Sequence, residues 1–534
     1  MKISLYGLPC AGKTTLMNGL SGIPVIYGSA ELNKMVSGSF SELTEDEKNK
    51  VRVRYAERLS SREDSFISDG HYSFLDDVVF TEADAELYDV FIYLYCEPAL
   101  LRERLQSSSK NKRFSELSCE RIKKWQSFEI EALRNECHKR NKDFYVISDV
   151  SSDELNNFIK NIENGFSSFL LAGQIVEQIR SVYPEPCDIC ICDGDKTVIR
   201  QDSFRLCSDN YMTHAFDGNF YTGFQSMRFD NEIRVLCPDF EKLCFIEPND
   251  RIYNDILTKN YFIVSSGIGV LWKRLSEVLG LKNVIANTLI SADTKFFIVK
   301  LLQEDGYTVT AYGDSKSDLY MLRQADEAYL YIGERISRSL VGSDTSGIKL
   351  IYDKAPYILE KERSDITEYI SVCRSDSGIN GARLANAHFR LGQILGQKIK
   401  EFLPDDDTAI LVLERGGRFF GDGLYTTFGG TFYRYNSTET ELPNIYQDNV
   451  IITDSVVNTG RSVLSTVDKL KQSAPDIEIF VAANVVQRKA LELLRDYKIF
   501  TVRTSDNYFV GSRQTEQRNG KGPDTADRLF NYIK

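Results

Sequence analysis

Short apolar runs bounded by turn residues alternate along the whole chain with longer polar stretches of helical periodicity. In the first part the runs are Lys2–Tyr6, Pro24–Tyr27, Phe66–Ser68, Asp89–Tyr95 and Asp143–Ile147. Residues 152–183 read as a helical connector that stops at Pro184-Glu185-Pro186. Strands follow at Cys187–Cys192, Tyr261–Val264 and Val309–Tyr312, with a helix over Lys295–Gln303. A polar stretch near 357–378 precedes a helix near 383–403, the strand Thr408–Leu413 and an apolar run from Asn449. Strands separated by helices predict an α/β protein with parallel sheets. The breaks place three parts at 1–165, 180–356 (with an insert at about 199–258) and 378–534.

The length of 534 residues suits three parts, at a prior of roughly 150 residues per domain. No apolar run reaches the ~18 residues a membrane span needs. Met1–Tyr6 runs straight into a glycine loop, so no signal peptide is expected. The net charge of −12 speaks against long nucleic acid as the main partner, since phosphate neutralisation calls for a basic surface. It favours small, metal-chelated phosphates. Eleven cysteines without a regular framework fit a reducing cytoplasm. Cys187 and Cys190 have CxxC spacing, but no second ligand pair matches them, and buried strand cysteines explain them better.

The loop after the first strand is Gly7-Leu8-Pro9-Cys10-Ala11-Gly12-Lys13-Thr14, followed by a helix-like run from Thr15. Gly7 and Gly12 let backbone N–H groups curl round phosphates at a helix start. Lys13 then reaches the β/γ-phosphates of ATP or GTP, and the Thr14 hydroxyl, beside Thr15, holds Mg²⁺. Asp69 ends its strand, where it could hold a metal-bound water or take a proton from a substrate hydroxyl; an Asp before Gly70 also suits a plain turn. Ile92–Pro98 with Arg102, Arg104 and Arg113 resembles the strand and lid of nucleoside and nucleotide kinases of the P-loop class. That resemblance implies Arg113 as the lid residue over the transferring phosphate, whereas Arg102 and Arg104 also fit a solvated helix face.

In the middle part the strand Cys187–Cys192 delivers Asp193-Gly194-Asp195-Lys196-Thr197. Two carboxylates at i, i+2 can divide nucleophilic attack and proton shuttling between them. Ser265 at the end of Tyr261–Val264 could bind a phosphoryl oxygen, Lys295 could neutralise phosphate charge, and Gly313-Asp314-Ser315-Lys316-Ser317-Asp318 is a paired-acid loop suited to Mg²⁺. DxDxT, strand-Ser, Lys and GDxxxD in this order resemble the haloacid-dehalogenase phosphatase superfamily. The resemblance implies Asp193 as nucleophile, Asp195 as general acid/base, Ser265 and Lys295 as phosphate ligands, and Asp314 and Asp318 acting with Asp193 at Mg²⁺. It also makes 199–258 a cap that closes over the site.

In the last part Glu414-Arg415-Gly416-Gly417-Arg418 follows its strand, and Asn449–Thr453 leads into Asp454-Ser455-Val456-Val457-Asn458-Thr459-Gly460-Arg461-Ser462. An acid followed by a small, polar, glycine-bearing turn suits phosphoribosyl pyrophosphate (PRPP): Asp454 takes the ribose hydroxyls, and Asn458, Thr459, Gly460 and Ser462 hold the 5′-phosphate. Together with Asp422-Gly423, Tyr433-Arg434, Glu439-Thr440 and the tail Gly522–Phe530, this resembles the uracil branch of type I phosphoribosyltransferases. The resemblance implies Arg415 as pyrophosphate ligand and Asp524 and Asp527 in base recognition. Two departures bear on the base: the family's GDAGD reads Pro523-Asp524-Thr525-Ala526-Asp527, and Ser455 replaces a proline.

The expectation is a multifunctional enzyme of nucleotide metabolism acting on a uracil-like base and on nucleoside or nucleotide phosphates, with Mg²⁺, ATP or GTP, and PRPP as co-substrate. Self-association is expected through the last part. The alternatives are nucleic-acid end repair by the kinase and phosphatase parts, and a regulatory protein that senses PRPP or a pyrimidine.

Overall fold

The computed structural model describes the whole chain except residues 210, 334–336, 341–342, 437–440, 507–515, 518–519, 522–523 and 533–534. It is a mixed α/β structure with three parallel-stranded sheets. Among the described residues no helix is long and apolar enough to cross a membrane.

The first sheet contains β1 (Lys2–Tyr6), β2 (Val25–Ile26), β3 (Phe66–Asp69), β4 (Val90–Tyr95) and β5 (Asp143–Ser148), in the order β2-β3-β1-β4-β5. All its pairs are parallel. Its strands are buried almost throughout, as runs such as Val90-Phe91-Ile92-Tyr93-Leu94 require of a sheet covered on both faces.

The second sheet takes β6 (Asp188–Cys192), β7 (Tyr261–Ser265), β8 (Val284–Ala286), β9 (Thr308–Gly313), β10 (Glu327–Ile332) and β11 (Lys349–Tyr352), in the order β8-β7-β6-β9-β10-β11. Its first five strands run parallel. The third sheet takes β12 (Tyr357–Ile358), β13 (Thr408–Leu413), β14 (Thr431–Tyr435), β15 (Asn449–Val457), β16 (Glu478–Gln487) and β17 (Lys498–Ser505), in the order β12-β17-β16-β15-β13-β14, parallel throughout.

Three sheets do not make three compact units. The chain divides into two: one holds residues 1–330 and 342–349, the other 331–341 and 350–534. The first sheet and strands β8, β7, β6 and β9 of the second thus share a unit, and the insert between β6 and β7 touches both. Its helix Gly223–Ile233 lies against β5, the edge strand of the first sheet. Val146 N–H donates to Thr222 Oγ1 at 3.2 Å, and Gln225 Nε2 donates to the Val146 carbonyl at 2.8 Å. Phe224 is fully buried in the core that Ile3, Leu5, Ile92 and Phe158 build. An edge strand exposes unpaired N–H and C=O groups, and covering them removes a site of aberrant pairing. The insert is therefore anchored on the first sheet while its Ser203 N–H also reaches Asp195 beside its own.

Other departures are local. The helix expected at Lys295–Gln303 begins at Ala292, because Ser291 caps it by accepting the Thr294 N–H at 3.1 Å. The connector 152–183 is two helices, Ser152–Glu163 and Ser168–Val182. The polar stretch near 357–378 holds the strand Tyr357–Ile358 and the helix Thr367–Cys373, whose Ile370, Val372 and Cys373 are buried. Tyr433-Arg434 lie in β14, and Glu439-Thr440 fall outside the described residues.

Candidate functional sites

Three sites are described, two in the first unit and one in the second. The glycine loop leaves β1 with Gly7, Cys10 and Gly12 at positive φ, and the helix Lys13–Asn18 begins directly behind it. Glycine is required at Gly7, because a Cβ there would stand 2.8 Å from the Leu94 carbonyl oxygen. Lys13 is buried, with Nζ 2.5 Å from the Gly7 carbonyl, 3.2 Å from that of Leu8 and 3.5 Å from His71 Nδ1. Burial pulls its pKa down to about 8, against the opposing pull of Asp69. Thr14 and Thr15 face outward into a cleft of about 1790 Å³ that also receives Asp69, His71, Arg104 and Arg113. Asp69 Oδ1 accepts the Gly28 N–H at 2.7 Å, which fixes the carboxylate at the cleft's wall.

Arg113 lies over the rings of Phe74 and Phe114 at 4.9 and 4.5 Å. Arg104 is not confined to a solvated face: its Nη1 donates to the Ala11 carbonyl at 3.2 Å and lies 3.5 Å from that of Cys10. Sequence reasoning left Arg104 open between the lid and a solvated helix face, and passed over His71. For Arg104 a usable signal existed, since a cation at the first helix after β4 reaches the loop after the neighbouring β1.

In the second sheet, β6 leads directly into Asp193 and β9 ends at Gly313, adjacent strands whose following loops meet. Lys295 Nζ lies 2.5 Å from Asp193 Oδ1 and 2.7 Å from Asp318 Oδ1, with both the lysine and Asp318 fully buried. Asp193, Asp314 and Asp318 each offer an oxygen within 4.8 Å of the others. Asp318 Oδ2 accepts the backbone N–H groups of Asp314 and Ser315 at 3.2 and 3.1 Å. Burial, then the Asp318 charge, pushes Asp193 up to about 7 against the pull of Lys295, and pushes Asp314 well above the usual range. The same two carboxylates hold the Lys295 ammonium in its charged form, raising its pKa despite burial. An all-oxygen set of three carboxylates fits a hard divalent ion such as Mg²⁺.

Asp195 is held from two sides. Its Oδ1 accepts the Ser203 N–H at 2.7 Å, and its Oδ2 accepts Trp272 Nε1–H at 3.2 Å. Burial, helped by the Asp202 charge, lifts it to about 6. Trp272 is fully buried, and room for its ring is made by Gly194, where a Cβ would come within 2.3 Å of it. Ser265 Oγ accepts the Gly267 N–H at 3.0 Å at the end of β7. Trp272 was not foreseen, and a tryptophan on a helix carries no spacing signal of its own. Cys190 and Cys192 are buried in β6, and all eleven cysteines are free.

In the second unit, β15 runs on to Val457, so Asp454 sits within the strand opposite Ala483 rather than at the start of a turn. Neighbouring strands keep pairing past it, and the turn is reduced to Asn458, Thr459 and Gly460 before the helix Arg461–Ser473. Gly460 caps that helix at φ +74°. Thr459 Oγ1 accepts the Arg461 N–H at 3.4 Å, Asn458 Oδ1 accepts from Gln487 Nε2 at 3.2 Å, and the Ser462 carbonyl accepts from Thr466 at 2.8 Å.

Asp454 Oδ1 accepts the Ser455 N–H at 2.6 Å, a bond that a proline at 455 could not give. Ser455 Oγ lies 2.7 Å from Nδ1 of His388, which burial holds down to about 3 and therefore neutral. Burial pushes Asp454 itself up to about 7, with a small contribution from Asp524. Gly417 allows the β13 turn to approach: a Cβ would meet the Leu413 and Thr453 carbonyls at 2.7 and 2.8 Å. Arg415 is more than half exposed, with Nη1 3.6 Å from Oδ1 of the buried Asp527. Asp524 caps the helix Thr525–Leu529 through the Ala526 N–H at 2.8 Å.

No protein-family model matches the chain, and no curated protein matches it. Solved structures do. The AQ2163 protein of Aquifex aeolicus aligns at 16% identity over 32% of this chain and 97% of its own, with a TM-score of 0.27. The xanthine-guanine-hypoxanthine phosphoribosyltransferase of Helicobacter pylori aligns at 16% identity over 23% of this chain and 84% of its own, TM-score 0.20. The adenine phosphoribosyltransferase of Thermoanaerobacter pseudethanolicus aligns at 18% over 23% and 82%, TM-score 0.20. At these scores the likeness carries no activity over to this chain.

Proposed function

We propose that the chain is a multifunctional enzyme of phosphate chemistry in nucleotide metabolism, whose best-supported activity is Mg²⁺-dependent hydrolysis of a phosphate monoester at Asp193. One observation carries this reading: Lys295 joins Asp193 and Asp318 in a single buried cluster, with Asp314 beside them. Four ionisable groups drawn from three separate segments are costly to gather in one largely buried site without a task.

A divalent ion held by Asp193, Asp314 and Asp318 would screen the charge of the incoming phosphoryl group. The Asp193 carboxylate, beside the Lys295 ammonium, attacks phosphorus as the bond to the departing oxygen breaks, and Asp195, whose carboxyl is raised by burial and the Asp202 charge, gives its proton to that oxygen. Asp195 then accepts a proton from the water that cleaves the acyl phosphate, and Asp193 is regenerated. Ser265 and Lys295 are assigned to the phosphoryl oxygens.

For the other sites the reading is an ATP- or GTP-dependent kinase of a small nucleoside-like acceptor at Lys13 and Asp69, and transfer of ribose 5-phosphate from PRPP to a uracil-like base at Asp454 and Arg415. Buried Lys13 over the loop carbonyls and the Arg415–Asp527 approach support these assignments. The test is incubation of the full chain with Mg²⁺, PRPP, ATP and a panel of bases and phosphate esters, with products identified by mass. Phosphate release from simple esters is expected. Its complete absence with every ester would overturn the leading activity.

A further inference from the structure

We infer that the donor-nucleotide cleft of the first sheet is completed by the insert of the second, with Phe220 as the wall against which the donor's base lies. This rests on the kinase reading of the glycine loop.

The sheet order β2-β3-β1-β4-β5 sets β3, with Asp69, on one side of the glycine-loop strand and β4 and β5 on the other. Phosphates held by Gly7–Thr14 present their transferring end to Asp69 and the acceptor, so the nucleoside end of the donor falls on the β4–β5 side. There the cleft is walled by Tyr95 and Ser148, register partners at the ends of β4 and β5, by Arg104, and by Asp217, Gly218 and Phe220 of the insert. The ring of Phe220 stands 4.9 Å from that of Tyr95.

The backbone behind Phe220 is fixed from both sides. Arg134 Nη2 donates to the Phe220 carbonyl at 2.8 Å. Two residues on, Thr222 and Gln225 hold both backbone groups of Val146, and Phe224 is buried in the first sheet's core. Arg228 pairs with Glu154 at 2.8 Å and donates to the Asp149 carbonyl at 3.0 Å, on the loop beyond β5. Gly218, at φ +89°, lets the chain fold back so tightly that a Cβ would come within 2.5 Å of the Phe220 ring. A flat aromatic surface on a rigid support, with an acid close by at Asp217, suits a planar base carrying N–H donors. Phe220 is thus a specificity residue that one sheet supplies to the ligand of another.

The test is calorimetric binding of ATP, GTP and inorganic tripolyphosphate to the full chain and to Phe220→Ala and Phe220→Tyr. Tripolyphosphate has the phosphates without the base. Phe220→Ala is expected to weaken ATP or GTP binding about tenfold, the scale of one base–aromatic stack, and to leave tripolyphosphate binding unchanged. Phe220→Tyr should restore nucleotide binding. Unchanged nucleotide affinity in Phe220→Ala, or equal weakening of nucleotide and tripolyphosphate, overturns the inference and leaves the kinase reading standing. A parent chain that binds none of the three ligands overturns the kinase reading, and the inference falls with it.

Discussion

The Asp193 cluster in the first unit and the Asp454 strand in the second both hold a carboxyl group pushed up to about 7, and in both burial is the largest cause. They differ in what balances the charge. Asp193 has Lys295 at 2.5 Å, a cation delivered by the fold itself. Among the described residues Asp454 has no ion-pair partner, only backbone N–H donors and the nearby charge of Asp524. A site that carries its own cation is assembled before any ligand arrives. A site that lacks one depends on the cation its ligand brings, which suits a densely anionic, metal-chelating substrate such as PRPP. On the proposed reading, the difference separates a site for hydrolysis from one for co-binding of metal and substrate.

The sharpest way to break the comparison is to remove the nucleophile while keeping the shape. Asp193→Asn preserves volume and leaves Lys295 paired with Asp318, so the fold should survive. Phosphatase turnover should drop on the order of 10⁴-fold, as expected when a nucleophile is lost. Release of phosphate from a simple aryl phosphate measures it. Undiminished turnover would remove Asp193 from the chemistry.

Lys295→Met attacks the balancing cation instead. Three carboxylates then share one site with only the exposed Lys196 acting on Asp314. Breaking one partner out of a buried pair costs about 3–5 kcal/mol, so the first unit should melt earlier and phosphatase rate should fall by about 10²–10³-fold. The second unit's ligand binding should not change. Added Mg²⁺ should recover part of the lost stability, because a divalent ion can replace the missing charge among the same oxygens. Melting that is insensitive to Mg²⁺ in this variant would count against the metal assignment.

The chain's own pattern made much of this site legible. Asp193, Ser265 and Asp314 each stand at the end of an apolar strand run, and parallel sheets gather strand ends at one edge, whereas Lys295 was read from the first turn of its helix. The same rule located Asp69, and the glycine-loop motif located Lys13. What the pattern did not carry was anything set by tertiary packing. Trp272 reaches Asp195 only because Gly194 leaves room, and the insert's attachment to β5 depends on two side chains, Thr222 and Gln225, that happen to satisfy an exposed edge. Asp454 illustrates the reverse error: a polar, glycine-bearing run reads as a turn, yet strand pairing on either side carried the extended backbone through Asp454 to Val457.

In the second unit, PRPP binding followed by calorimetry should require Mg²⁺, since Asp454 and the pyrophosphate repel each other without it. Asp454→Asn keeps the hydrogen-bonding shape but loses the charge. It should weaken Mg²⁺–PRPP binding by about tenfold, the worth of a charged hydrogen bond. Binding of PRPP that ignores Mg²⁺ altogether would erase the contrast between the two sites. No binding under any condition would remove the transferase and sensing readings together.

The smallest effect concerns stability, and its sign follows from the direction of the Asp454 shift. An aspartate in an unfolded chain titrates near about 3.9, whereas in the folded protein Asp454 titrates at about 7. Between these values the folded state keeps a proton that the unfolded chain has already released. Stability from this group is therefore fully present below the unfolded value, declines as pH rises through the window, and reaches its lowest above about 7. Asp454→Asn cannot lose a proton and escapes the penalty. The variant should melt level with the parent at pH 4 and a few degrees higher at pH 8, read as the transition of the second unit in the full chain. Ser455→Pro should act the other way at pH 8, because it removes the N–H that Asp454 Oδ1 accepts at 2.6 Å and so deepens the cost of the charged form. If Asp454→Asn melts below the parent at pH 8, the carboxylate has a compensating partner, and the contrast with the Lys295 site fails.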